Sequence, residues 1–173
     1  EAEATDPHQR LLLRVVEESI NHAGYSRKTF YNTKTGVYLS DTDQEIDTLI
    51  QFEDSTFVTG SLNAAAAGRI SREFGLLGGA IMLDLENASA AAVINLACND
   101  LNVKNVDSAI VAGASLHIFP NQIKNDSKNN YKEQKKRKYE IENNKETPLG
   151  EAVVSLILKR QEDAEKENDT IYA

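Results

Sequence analysis

The 173-residue sequence has one cysteine, no tryptophan, one methionine and three prolines, and it contains no long apolar run. A single cysteine excludes an internal disulfide and is typical of a reducing compartment. Without an apolar run of spanning length, a transmembrane helix is not expected. The N-terminus is acidic and lacks the basic and apolar regions of a signal peptide. We therefore expect a cytoplasmic protein.

Basic residues are also in the minority, with 19 Lys and Arg against 27 Asp and Glu and a formal net charge of −8. This balance favours solubility and argues against general nucleic-acid binding. The glycine-rich patterns that hold phosphates are absent, as are the Cys and His spacings of metal sites. We expect no cofactor, no metal ion, and neither nucleic acid nor membrane as a partner.

Apolar residues recur with helical and strand periodicities that alternate along the chain, which indicates an α/β fold. Helices are predicted from Asp6 and Pro7 to Gly24, weakly over 43–52, from Ser61 or Asn63 to Phe74, and over 88–101. Strands are predicted over 37–39, 80–83, 107–112, 115–118 and 151–158, and an acidic solvated segment over 161–169.

Composition divides the chain into three parts. Residues 1–121 carry most of the periodic pattern. Residues 122–149 are dominated by Lys, Asn, Glu and Gln, which predicts a polar surface insertion or linker. Residues 150–173 return to a core strand and a C-terminal end.

Residues 81–98 predict a short strand, a tight bend and an alanine-rich helix. Such an elbow places one side chain at a helix N-terminus, where unpaired N–H groups and the helix dipole favour negative charge. This position suits a nucleophile, because the electrostatic field at the helix N-terminus lowers the pKa of a thiol. The residue at this bend is Asn87, whose amide cannot be deprotonated to a nucleophile at neutral pH.

Several segments in order resemble the ketosynthase domain of modular polyketide synthases and of fatty-acid-type condensing enzymes. Residues 1–13 are similar to EAEAMDPQQRLLL, 35–39 to TGVYVG and 67–76 to AGRISYFFGL. Residues 84–98 are similar to VDTACSSSLVALHLAC, 150–160 to GEGAGVVVLKR and 169–173 to GDRIYA. The resemblance implies the N-terminal half of a thiolase-like fold, with a mixed sheet between helical layers. It also implies that the first, central strand is missing, so that the sheet rearranges, borrows a strand or is marginally stable.

The sequence departs from the family at its catalytic residues. The family's nucleophilic Cys falls on Asn87, and Cys98 matches a second cysteine that is not the nucleophile. The catalytic histidines belong to HGTGT and NIGH motifs that this sequence does not contain. His8, His22 and His117 match neither motif, and we interpret them as structural or surface residues. No catalytic residue is therefore intact.

Three neighbours of the elbow have simple interpretations. Glu86 stands where the family has a small residue, and its carboxylate would repel a thiolate, an enolate or a phosphopantetheine phosphate. Ser89 is interpreted as a helix-start serine, and Cys98 as a buried small residue. Asn87 itself is a good N-cap residue, so a polar cap without catalysis is the main interpretation.

The resulting hypothesis is a pseudoenzyme: a ketosynthase-like protein related to polyketide or fatty-acid biosynthesis that cannot condense acyl chains. Its residual role would be structural, through a homodimer or a full-length ketosynthase partner. The family dimerises through the strand that maps to Ala80, Ile81, Met82 and Leu83. The sequence leaves two alternatives open. One is a subunit of a split synthase, or a malonyl-decarboxylating partner, that another chain completes; an acyl carrier protein is then a weakly supported partner. The other is a degraded or truncated gene product.

Overall fold

A computed structural model describes residues 5–41, 60, 62–116 and 150–173. The helices and strands alternate along the chain, as the periodicity predicts. The helices are α1 (Pro7–His22), α2 (Arg27–Phe30), α3 (Asn63–Phe74), α4 (Ser89–Asn102) and α5 (Gln161–Glu167). The strands are β1 (Thr35–Asp41), β2 (Ala80–Leu83), β3 (Ser108–Ser115) and β4 (Ala152–Lys159). The predicted helix over 43–52, Ser61, His117 and the polar segment 122–149 lie outside the described residues.

The four strands form one mixed sheet in the order β2–β1–β3–β4. β1 is parallel to both β2 and β3, whereas β4 is antiparallel to β3. β1 and β3 pair directly from Thr35 opposite Ser108 to Asp41 opposite Ala114. In the part of the chain that is described, the sheet is thus continuous. The direct pairing of β1 with β3 is compatible with the first of the expected alternatives, a rearranged sheet.

The first face of the sheet is covered by α1 and α3. Asp6 caps α1, because its Oδ1 accepts a hydrogen bond of 2.7 Å from the backbone N–H of His8, and Pro7 occupies the first turn. Apolar residues three to four positions apart then meet the sheet. Buried members of this core are Leu12, Val16, Ile20, Ile70, Phe74, Val37, Leu39 and Ile110. The predicted start of α1 is confirmed.

The second face is covered by α4. Its buried residues Val93, Ala97 and Leu101 pack with Tyr38, Ala109 and Val111 of the central strands. Tyr38 is fully buried, and its hydroxyl donates a hydrogen bond of 2.6 Å to Asp100. Burial and this hydrogen bond raise the pKa of Tyr38 well above its usual value. The phenol stays neutral and fixes α4 against β1.

The tertiary structure corrects several details of the sequence prediction. The N-cap of α3 is Leu62, which makes no side-chain capping hydrogen bond, and Asn63 is the first helical residue. The strand predicted over 107–112 continues to Ser115 as β3, because its Gly113 accommodates the side chain of Ser40, and residues 117 and 118 of the strand predicted over 115–118 lie outside the described residues. A Cβ at Gly113 would lie 2.6 Å from the Ser40 Oγ. Cys98 is exposed on α4, not buried, because it points away from the stripe formed by Val93 and Ala97.

β4 and the segment after it also differ from the prediction. β4 alternates, so that Val154 and Leu156 are 54% and 43% exposed, respectively, and the strand is not a fully buried core strand. The acidic segment at 161–169 begins with a helix, α5, and Ala164 of that helix is buried. An acidic composition predicts solvation of most of this segment, but it does not identify the single small residue that packs.

A polar network ties the C-terminal segment to the loop after α1. Lys159 Nζ donates hydrogen bonds to Tyr25 Oη at 2.9 Å and to Asp169 Oδ2 and a Glu167 carboxylate oxygen at 2.7 Å each. The Tyr25 hydroxyl also donates to Asp169. Burial alone would raise the pKa of Asp169, but the hydrogen bonds from Lys159 and Tyr25 outweigh it and lower that pKa.

The substitution Asp169→Asn should destabilise the protein by about 1–3 kcal/mol at pH 7, because it removes charged hydrogen bonds to a half-buried ammonium. The folded-state pKa of Asp169 lies below that of the unfolded chain. The advantage of the native residue is thus fully present above about pH 4 and falls as the pH drops through the lowered value. Urea unfolding of the native protein and of Asp169→Asn across this pH range measures the difference in their free energies of unfolding. Glu162→Gln is the control, because it changes an exposed carboxylate. An unchanged stability of Asp169→Asn at pH 7 would contradict the role of the network.

Candidate functional site

The predicted elbow is present between β2 and α4, over residues 84–88. β2 ends at Leu83, and α4 begins at Ser89. Glu86 has a φ of +51°, in the left-handed region that residues other than glycine adopt rarely. The chain therefore turns sharply at Glu86, immediately before Asn87.

Ser89 holds this turn together. Its Oγ accepts a hydrogen bond of 2.7 Å from the backbone N–H of Leu85 and donates one of 2.7 Å to the carbonyl oxygen of Glu86. The residue is only 2% exposed. Because its proton and a lone pair are both engaged, Ser89 acts as a structural serine at the start of the helix, in agreement with the interpretation of the sequence.

The backbone N–H groups of the elbow are largely occupied. The N–H of Leu85 donates to Ser89 Oγ, and the N–H of Glu86 donates to Asp84 Oδ1 at 3.1 Å. The N–H groups of Ala88 and Ser89 donate to the carbonyl oxygens of Leu85 and Glu86, each at 3.1 Å. The sequence predicted unpaired amides that would favour an anion. The structure uses four donors of this region, the N–H groups of Leu85, Glu86, Ala88 and Ser89, to close the turn.

Asn87 does not cap the helix. The N-cap position is Ala88, with φ of −91° and ψ of −7°, and no side chain in the described residues caps α4 there. The expectation of Asn87 as a polar cap is therefore wrong, because the tight turn at Glu86 moves the cap one residue along. Asn87 is exposed and lines a cavity.

The cavity has a volume of about 350 Å³ and lies where the carboxyl end of β1, the N-terminus of α4, β3 and β4 meet. The carboxyl ends of parallel strands are the usual position of ligand sites in α/β sheets. The apolar walls come from α4, β3 and β4, and the polar lining includes Ser40, Glu86, Asn87 and Ser89. The sequence pattern identifies the elbow side of this cavity. It does not identify the β4 side, because residues 152–156 are distant in the chain.

The described histidines lie on α1, on the face of the sheet opposite α4. His8 is buried at the start of α1, with its Nδ1 3.2 Å from Asp6 Oδ1. His22 ends α1, and its ring stacks on Tyr172 at 5.7 Å between ring centres. Since α1 covers the opposite face of the sheet from α4, neither side chain reaches Asn87.

The dimer candidates Ala80, Ile81, Met82 and Leu83 form β2. Among the strands that the structure describes, β2 is at one end of the sheet and pairs only with β1. Ala80 is exposed, whereas the other three are half-buried. The strand is therefore an edge strand with a partly apolar surface.

Metal-binding and membrane-spanning features are both absent from the part of the chain that the structure describes. No group of three or more His, Cys, Asp or Glu side chains among these residues is arranged to hold a metal ion. None of the described helices has the length and apolar character to cross a membrane.

The mixed sheet, its covering helices and the elbow define a thiolase-like α/β protein. The family model described as beta-ketoacyl synthase, N-terminal domain, matches residues 1–164, and the chain belongs to this family.

The relatives include polyketide synthases. The polyketide synthase PksL of Bacillus subtilis is 32% identical over 174 residues, which cover 99% of this chain and 4% of that protein. A phenolphthiocerol/phthiocerol polyketide synthase of Mycobacterium tuberculosis is 34% identical over 124 residues, which cover 69% of this chain and 8% of that protein. The chain therefore spans less than a tenth of the length of these curated relatives.

Solved ketosynthase structures share the fold. The ketosynthase from module 6 of the bacillaene synthase of Bacillus subtilis 168 matches with a TM-score of 0.78 and 28% identity. The match covers 99% of this chain and 29% of that one. The ketosynthase from module 1 of the bacillaene synthase of Bacillus amyloliquefaciens matches with a TM-score of 0.79 and 25% identity, over 99% of this chain and 30% of that one.

A thiol placed at the bend should not be activated. In a Cys98→Ser background, which removes the native exposed thiol, we expect Asn87→Cys to have a thiol pKa at or above about 8.5. Four N–H groups beside the bend are already engaged, and the carboxylates of Asp84 and Glu86 disfavour a thiolate. The pH dependence of alkylation by iodoacetamide measures this pKa.

Addition of Glu86→Gln to the same protein should lower the thiol pKa, because one negative charge beside the sulfur is removed. A strongly depressed pKa in Asn87→Cys, unaffected by Glu86→Gln, would show that the helix dipole dominates this elbow and that its carboxylates do not matter.

Proposed function

We propose that this chain has a ketosynthase scaffold without condensing activity, and that it does not carry a covalently bound acyl chain. The observation that carries the proposal is Asn87 at the position that matches the nucleophilic Cys of the family. A carboxamide cannot form the thioester on which condensation depends. The N–H groups of Leu85, Glu86, Ala88 and Ser89 support the same conclusion, because these four donors are engaged within the turn and are not available to an oxyanion.

The electrostatics of the bend add independent support. Glu86 lies beside Asn87 at the cavity, and a carboxylate there repels a thiolate, an enolate or a phosphate. The histidine motifs of the family are absent from the sequence, and the described histidines lie away from the elbow. The described histidines therefore supply no imidazole at Asn87 for decarboxylation or condensation.

The purified protein should form no acyl adduct when it is incubated with a malonyl or acyl thioester. Intact-mass measurement tests this, with Cys98→Ser as the matched control, since the exposed thiol of Cys98 is the one cysteine of the chain. The double variant Cys98→Ser/Asn87→Cys should produce no chain extension, because the histidine motifs are absent. An adduct that persists in Cys98→Ser, or extension by the double variant, would refute the proposal.

The residual role that we favour is structural, with β2 pairing either with a second copy or with a full-length ketosynthase. An edge strand presents a row of N–H and C=O groups that a second strand can satisfy. The parallel pairing of β1 with β2 through Val37 and Ala80 keeps this strand in place, and Ala80 is exposed.

Self-association through β2 should be lost in Ala80→Lys, because a lysine on an edge strand disfavours pairing with another edge. Size-exclusion chromatography with light scattering measures the mass of the assembly. Asn99→Lys, on the exposed side of α4, is a control that adds the same charge. A dimer that survives Ala80→Lys would place the interface elsewhere, and a strictly monomeric native protein would leave the full-length ketosynthase as the partner.

A second candidate function is a subunit of a split synthase, or a decarboxylating partner, that another chain completes. It is favoured by the exposure of Asn87 to the cavity, because a free carboxamide can donate hydrogen bonds to a thioester carbonyl or an enolate without being acylated. An acyl carrier protein would then deliver the substrate. Co-purification with a chain that carries the HGTGT and NIGH motifs, and turnover of malonyl thioester only by the mixture, would establish it.

A further inference from the structure

The described residues that line the elbow cavity have a charge pattern that is the reverse of an anion site. Among the described residues that line it, Glu86 is the one charged side chain. The four backbone donors of the turn are directed to Ser89, Asp84 and nearby carbonyl oxygens. A ligand that enters the cavity therefore meets a negative charge at the rim, which favours a cation.

The walls of the cavity are apolar and partly open. Val93 and Val111 are buried, whereas Ile94, Val154 and Leu156 are 38–54% exposed. A volume of about 350 Å³ is at the small end of the range for small-molecule sites, which begins at about 300 Å³. Apolar contact with these walls would contribute most of the binding free energy, and the rim would select the head group.

We propose that this cavity binds an apolar chain with a cationic head group, an alkylammonium, whose nitrogen is bound by Glu86 at the rim. This ligand class rests on the proposed function, since it concerns the same cavity and is one that an acyl-carrying site would not select. The apolar part lies between α4 and β4, and the ammonium lies beside the bend.

The test compares three ligands of equal chain length: n-octylammonium, n-octanol and n-octanoate. Calorimetric titration into the purified protein at neutral pH gives the three dissociation constants. We expect octylammonium to bind roughly threefold more tightly than octanol, the size of effect that one solvent-exposed ion pair gives. Octanoate should bind more weakly than both.

Two variants separate the rim from the walls. Glu86→Gln should abolish the preference for octylammonium over octanol and leave the binding of octanol unchanged, and Glu162→Gln on α5 should alter neither. Val154→Ser should weaken octylammonium and octanol equally, because it removes apolar wall without charge. Circular dichroism and a thermal melt confirm that each variant is folded.

Three results would overturn the inference: no binding by any of the three ligands, octanoate binding as tightly as octylammonium, or an ammonium preference that survives Glu86→Gln. None of them changes the acyl-adduct measurement, which tests the proposed function by a different readout. An acyl adduct with intact ammonium selectivity would refute the proposed function and leave the charge preference of the cavity standing.

Discussion

The hydrogen bonding of β1 on both of its edges holds the rest of the structure together. β1 pairs with β2 on one side and with β3 on the other, and its residues Val37, Tyr38 and Leu39 are fully buried. Alternate side chains of this strand enter the two cores, so that Val37 and Leu39 meet α1 and α3 while Tyr38 meets α4. The position of β2, and hence of the elbow that follows it, depends on this pairing.

Two glycines allow neighbouring segments of the chain to pack closely against β1. A Cβ at Gly78 would collide with the carbonyl group of Thr35, so only glycine allows the chain to pass the start of β1 and enter β2. Gly113 likewise leaves room for Ser40 at the other end of the strand pair. Gly78 thus shapes the entry into β2 beside the start of β1, and Gly113 lies with Ser40 in the lining of the cavity.

The elbow illustrates that a fold and a site can be separated. The strand, the turn and the helix are present, yet four backbone donors beside the bend are used by the turn itself. The residue at the bend is an exposed amide, and its neighbour is a carboxylate in a left-handed backbone conformation. Membership of the beta-ketoacyl synthase N-terminal family describes the scaffold of this chain, whereas the proposed loss of condensing activity rests on Asn87 and Glu86.

The sequence by itself determined the elements with strong local patterns. These include the capped start of α1 at Asp6 and Pro7, the extent of α4 to within one residue, and the elbow strand. Each rests on neighbours in the chain, which periodicity and capping residues reveal directly. Only the tertiary structure decided that Ser89 bridges Leu85 and Glu86, that Cys98 is exposed, that β4 completes the cavity wall, and that Asp169 is bound to Tyr25. Those contacts depend on the precise angle of one turn or on residues as far as 144 positions apart, and no local pattern records which distant groups will meet.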